Sequence, residues 1–93
     1  MKALYYDELE IGNLYTTIRQ RTYPRKLIES FLTNKKCGDI YPQDAFVVLE
    51  MKNILKENFS EKWIKILTTQ GVIGWAYFIE AFDLEPAFME LKP

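Results

Sequence analysis

Trp63-Ile64-Lys65-Ile66-Leu67-Thr68-Thr69-Gln70-Gly71-Val72-Ile73-Gly74-Trp75-Ala76-Tyr77 is the stretch whose reading decides the fold. Ile64 and Ile66 alternate with Trp63, Lys65 and Leu67, the two-residue period of a strand with two different faces. Gln70-Gly71 breaks that pattern, and glycine supplies a backbone able to take a positive φ without a Cβ clash. Val72, Ile73, Trp75 and Tyr77 follow as β-branched and aromatic strand formers. The run therefore predicts a β-hairpin. Gly74 lies inside its second strand, where a missing side chain signals a bulge or a close neighbouring backbone.

Outward from the hairpin, composition bounds the rest. The 93 residues are enough for one domain with a single core, and at 48% hydrophobic and 15% aromatic they predict a folded globule. A formal net charge of −1 makes no chain-wide case for nucleic acid or a membrane surface. No run reaches the roughly 18 apolar residues of a membrane span, and no signal-peptide pattern opens the chain. The single cysteine, Cys37, has no internal disulfide partner and fits synthesis in a reducing cytoplasm, as a packed or surface thiol. No internal repeat and no low-complexity segment interrupts the sequence.

Trp-x-Lys-Ile-Leu, a short turn and Gly-Val-x-Gly-Trp together resemble the central hairpin of SH3-like (Src-homology-3-like) small barrels. Asp44-Ala45-Phe46-Val47-Val48-Leu49-Glu50 resembles the strand before that hairpin, and Ile79-Glu80-Ala81-Phe82-Asp83-Leu84-Glu85 the short helical turn and closing strand. Leu9-Glu10-Ile11-Gly12-Asn13-Leu14-Tyr15 matches the turn into the first strand, ahead of Leu14–Ile18 as that strand. The likeness is to bacterial and phage members rather than eukaryotic signalling ones. It implies a mainly β chain, a five-stranded barrel over residues 1–86, with a C-terminal extension over 87–93. Leu4, Tyr5 and Tyr6 are expected to cap the barrel.

Residues 19–45 exceed the usual loop between the first barrel strands. Within them Leu27, Ile28, Phe31 and Leu32 recur at i, i+1, i+4 and i+5, the apolar stripe of a short helix. Thr22 and Pro24 suit its start and Gly38 its end, so an inserted helix of about ten residues is expected. Phe46–Met51 reads as a strand covered on both faces, Ile40–Asp44 as extended chain entering a turn, and Lys52–Lys62 as a charged loop.

The chain has no histidine, which removes the commonest general base and metal ligand. One cysteine without histidine excludes the usual zinc spacings, and no phosphate loop or nucleophile elbow occurs. Asp7, Glu8 and Glu10 read as solvated charges in a surface turn. No enzyme activity, cofactor or metal is therefore expected. In signalling members of the resembled family, a Trp at the position of Trp63 lines a groove for Pro-rich ligands. Here Ala76-Tyr77 follows Trp75 where that groove has proline, and a basic insert replaces its acidic loop. Trp63 and Trp75 are instead expected as a partly exposed pair closing the surface.

Arg19, Arg21, Arg25, Lys26, Lys35 and Lys36 fall between positions 19 and 36 of the insert, opposed within that span by Glu29 alone. They are either a solvated face or a contact for an acidic protein surface, with nucleic-acid phosphates the second possibility. Phe88, Met89 and Leu91 in the tail are candidate partner contacts, or else fold back on the barrel. Removing Phe88 onward is expected to leave the barrel folded. The function expected is a non-enzymatic protein–protein interaction or structural module, with other subunits or copies of itself as partners and no membrane. Its specific form is a small bacteriophage virion protein of the tail, neck or capsid. The alternative is a cytoplasmic nucleic-acid-associated or regulatory barrel using the basic insert. A cell-wall-binding barrel, the third reading, lacks a secretion signal and a catalytic domain.

Overall fold

The computed structural model describes residues 3–17, 25–41, 43–79 and 88–91. The strands are β1 (Ala3–Leu4), β2 (Leu14–Thr17), β3 (Arg25–Ile28), β4 (Lys36–Ile40), β5 (Ala45–Leu55), β6 (Ser60–Thr68), β7 (Ile73–Ile79) and β8 (Phe88–Glu90), with a 3-10 turn at Tyr6–Glu8. All strand pairs are antiparallel. They make one open eight-stranded sheet in the order β1-β8-β2-β5-β6-β7-β3-β4.

The hairpin expected over Trp63–Tyr77 is β6–β7, with Trp63 opposite Tyr77, Ile64 opposite Ala76 and Ile66 opposite Gly74. Its turn closes through the Thr68 N–H to the Val72 carbonyl at 2.9 Å and the Gly71 N–H to the Thr68 carbonyl at 3.0 Å. Gly71 takes φ 81°, the left-handed position that a three-residue hairpin loop reserves for glycine. The alternation predicted for Trp63–Leu67 is realised: Ile64 and Ile66 are buried in the core, and Trp63, Lys65 and Leu67 lie on the other face.

One face of the sheet curls around the core. Tyr15 from β2, Leu27 from β3, Ile40 from β4, Phe46 and Val48 from β5, Ile64 and Ile66 from β6, Ala76 from β7 and Phe88 from β8 form a single buried cluster with Leu9. Strands at opposite ends of the strand order thus share one interior. Curling lets a single sheet bury its apolar face without a second layer.

The architecture and the insert both differ from expectation. The sheet is open with eight strands, not a closed five-stranded barrel. The expected helix is also absent, for residues 25–40 form the β3–β4 hairpin. Leu27 and Ile28 point to opposite faces of β3 and are 0% and 3% exposed, so a strand covered on both sides produced the adjacent apolar pair. The second pair divides: Phe31 is half-buried, while Leu32 is 97% exposed. Pairing of Leu27 and Ile28 with Ala76 and Trp75 satisfies backbone groups that a helix would have used. Thr22 and Pro24 lie outside the described residues, as do Ile18 and, apart from Ile79 at the end of β7, the turn and closing strand expected over 79–85.

The charged run 52–62 is mostly strand rather than loop. β5 continues to Leu55, β6 begins at Ser60, and the Lys56 N–H donates to the Phe59 carbonyl at 2.8 Å to close a short turn. The tail segment is part of the sheet: β8 lies between β1 and β2, with Phe88 opposite Leu4 and Thr17.

Tyr6 covers one end of the core, and its hydroxyl donates toward the Trp63 carbonyl at 3.1 Å and the Lys52 carbonyl at 3.3 Å. Burial, reinforced by the Asp7 charge and opposed by the bond to Lys52, pushes the Tyr6 phenol up to about 12. The unfolded chain titrates nearer 10, so above that pH it releases a proton the folded chain retains. Stability contributed by Tyr6 is complete below pH 10 and is lost as pH rises through about 12. Urea midpoints measured from pH 8 to 12 should fall less steeply for Tyr6→Phe than for the wild type; equal slopes would remove Tyr6 from the alkaline transition.

Candidate functional site

The face of β6–β7 turned away from the core carries the most unusual chemistry among the described residues. Register sets it up. Lys52 of β5, Trp63 of β6 and Tyr77 of β7 form one cross-strand row; Glu50, Lys65, Trp75 and Ile28 form the next. A bulge in β5 places one extra residue, Leu49, between the pairs Val48–Ile66 and Glu50–Lys65. That extra residue switches which alternate positions face the core. Phe46 and Val48 point inward ahead of it, whereas Lys52 beyond it shares the outer face with Trp63.

Phe31 reaches this face from the loop between β3 and β4. Its ring centroid lies 4.9 Å from that of Trp63, edge-on at 84°, and 4.8 Å from that of Trp75. Trp63 also lies against Tyr77 at 4.7 Å and 32°. The Lys52 ammonium sits 4.9 Å from the Phe31 ring centre, within cation–π range. Four aromatic side chains with a cation beside them therefore form a continuous cluster outside the core. Trp75 is 7% exposed, and Phe31, Trp63 and Tyr77 are half-buried.

One polar atom in the cluster is left over. Trp63 Nε1 is buried and has no hydrogen-bond partner among the described residues. Buried indole N–H groups normally find an acceptor, and an orphaned one costs about 1–3 kcal/mol. The Tyr77 hydroxyl is raised above its ordinary pKa by burial and by the neighbouring Glu61 carboxylate, which accepts its hydrogen bond. It is a neutral donor at physiological pH. Sequence reasoning found Trp63 and Trp75 but missed Phe31, Tyr77 and Lys52. Tyr77 was recoverable from the hairpin register, since it stands opposite Trp63; Phe31 carried no such signal, because its apolar neighbours mimic helical spacing.

The basic residues do not form a single patch in the described part. Arg19 and Arg21 lie outside it. Arg25 turns inward and donates to the Tyr77 carbonyl. Lys26 is exposed on β3, Lys35 is exposed in the loop, and Lys36 pairs with Asp39 at 3.0 Å. Among the tail residues, Phe88 is 2% exposed and belongs to the core, which removes it from the candidate contacts. Met89 and Leu91 are half-buried, and the Leu91 N–H donates to the Leu14 carbonyl at 2.8 Å. Cys37 packs beside the core, with its thiol 3.5 Å from the Ile73 carbonyl.

Among the described residues, no group of three or more His, Cys, Asp or Glu is placed to hold a metal ion, and no helix is long and apolar enough to cross a membrane. Comparison with family models, curated proteins and solved structures finds no match.

Proposed function

We propose that this protein is a non-enzymatic protein–protein interaction or structural module that docks a partner polypeptide on the Phe31–Trp63–Trp75–Tyr77 face. The observation that carries the reading is an aromatic cluster on the face opposite the core, containing an indole donor with no acceptor among the described residues. Trp and Tyr are enriched among the few residues that carry most of the binding energy of a protein interface. The finer form of the proposal is a Src-homology-3-like domain of the bacterial and phage kind, serving as a small virion component. In that form, adjacent subunits would cover Leu32, Leu55 and Phe59, which are exposed at 97%, 79% and 48% in or beside loops. Gene neighbours encoding portal, tail and capsid proteins would favour the virion form.

Selection of a random peptide library on the immobilised protein tests the docking face. Enriched peptides should bind the wild type and lose roughly tenfold or more in affinity on Trp63→Leu or Tyr77→Ala, the loss of one interface anchor. Enriched peptides indifferent to both substitutions would place the docking surface elsewhere.

The second reading, contact with nucleic-acid phosphates, is favoured by the exposure of Lys26, Lys35 and Lys36 on one hairpin. The inward turn of Arg25 and the Lys36–Asp39 pair count against it. Binding to generic duplex DNA that weakens steeply with salt, and vanishes on reversing those three lysines, would support this reading. Lack of binding at low salt removes it.

A further inference from the structure

Phe31 does not belong to the buried core cluster. It hangs from a loop closed on itself by the Glu29 N–H to the Lys35 carbonyl at 2.7 Å and the Asn34 N–H to the Ser30 carbonyl at 2.9 Å. From that loop the side chain crosses to Trp63, Trp75 and Lys52, all on other strands. Its contacts there are aromatic and cationic, and the Trp63 N–H has no acceptor among the described residues. A ring that fills an aromatic face and offers the buried Trp63 indole donor no acceptor is an incomplete ligand.

We propose that Phe31 is a displaceable occupant of this face, and that the true ligand is an extended peptide segment presenting an aromatic side chain and a backbone carbonyl to Trp63 Nε1. The inference rests on the docking reading above. Such a peptide keeps the ring contacts Phe31 makes and adds the hydrogen bond it lacks. That difference is what allows a ligand to shift the loop from a closed to an open population. Leu32, beside Phe31 and 97% exposed, is the first apolar surface an arriving chain would meet.

The test uses the chain's own occupant in trans. A synthetic peptide of residues 29–35 is titrated onto the wild type and onto Phe31→Ala, and the Trp63 indole N–H is followed by nitrogen-edited NMR. If the closed form holds the open one to about 1–10%, removing Phe31 should tighten peptide binding roughly tenfold to a hundredfold and speed Trp63 indole hydrogen exchange by a similar factor. Phe31→Leu, which keeps apolar bulk over the face, should fall between the two and guards against unfolding of the alanine variant. Unchanged exchange in both variants overturns Phe31 as the occupant. Faster exchange with no tightening of peptide binding in Phe31→Ala overturns the proposal that Phe31 competes with a ligand for this face. The docking reading beneath it falls only if peptides enriched on the wild type ignore Trp63→Leu and Tyr77→Ala.

Discussion

Gly74→Val should lower the melting temperature by roughly 12–24 °C, a loss of about 3 kcal/mol. A Cβ at position 74 would lie 2.7 Å from the Cys37 sulfur, 3.0 Å from Leu27 Cβ and 3.2 Å from the Ile28 carbonyl oxygen. Two of those neighbours are rigid: a carbonyl of β3 and the first side-chain carbon of a residue with 0% exposure. The β3–β4 hairpin folds across β7 here, so the clash falls where the sheet curls. Alanine should cost less than valine, because it lacks the branched methyl groups that press further into the same space. Cys37→Ala removes the closest of the three contacts, so it should recover part of the loss in the Gly74→Ala background. A double-mutant cycle by thermal denaturation measures that coupling. Additive effects would mean that Leu27 and the β3 backbone alone set the cost.

Ending the chain after residue 87 should leave a protein unfolded at room temperature, the reverse of what the sequence led one to expect. β8 is the paired neighbour of both β1 and β2, so its removal unpairs two strands at once. Phe88 also carries core packing: it is 2% exposed and meets Phe46 edge-on, centroids 6.4 Å apart at 79°. Phe88→Ala by itself should cost about 3–5 kcal/mol through lost burial and the cavity left behind. A chain of this size has roughly 5–14 kcal/mol in total. Loss of near-ultraviolet circular dichroism in the truncated chain, and a urea midpoint well below wild type for Phe88→Ala, are the expected readouts. A cooperative unfolding transition in the truncated chain would demote β8 to an accessory strand.

The degree to which local sequence encodes the fold varies along the chain. Trp63–Tyr77 contained its own answer, because alternation, a turn glycine and β-branched residues all act over a few positions. The strands expected over Leu14–Ile18 and Phe46–Met51 were legible for the same reason, and they correspond to β2 and β5. Leu27-Ile28-Phe31-Leu32 was misread because two adjacent apolar residues suit either a helix face or a strand covered on both sides. Only the pairing of β3 with β7 separates those cases. Phe88 was ambiguous because nothing local says whether an apolar residue near the C-terminus meets its own core or another molecule.

The interaction face divides in the same way. Trp63 and Trp75 were evident as residues, yet their environment came from elsewhere: a loop delivering Phe31 from the β3–β4 hairpin, and a bulge at Leu49 bringing Lys52 to the same face. By itself the sequence determined a mainly β chain built on one hairpin, since that information is local and periodic. Tertiary structure decided that eight strands form an open, curled sheet, that the tail closes its core, and that four aromatic rings gather on its outer face. Those outcomes depend on pairings between residues tens of positions apart, and no short window of sequence encodes them.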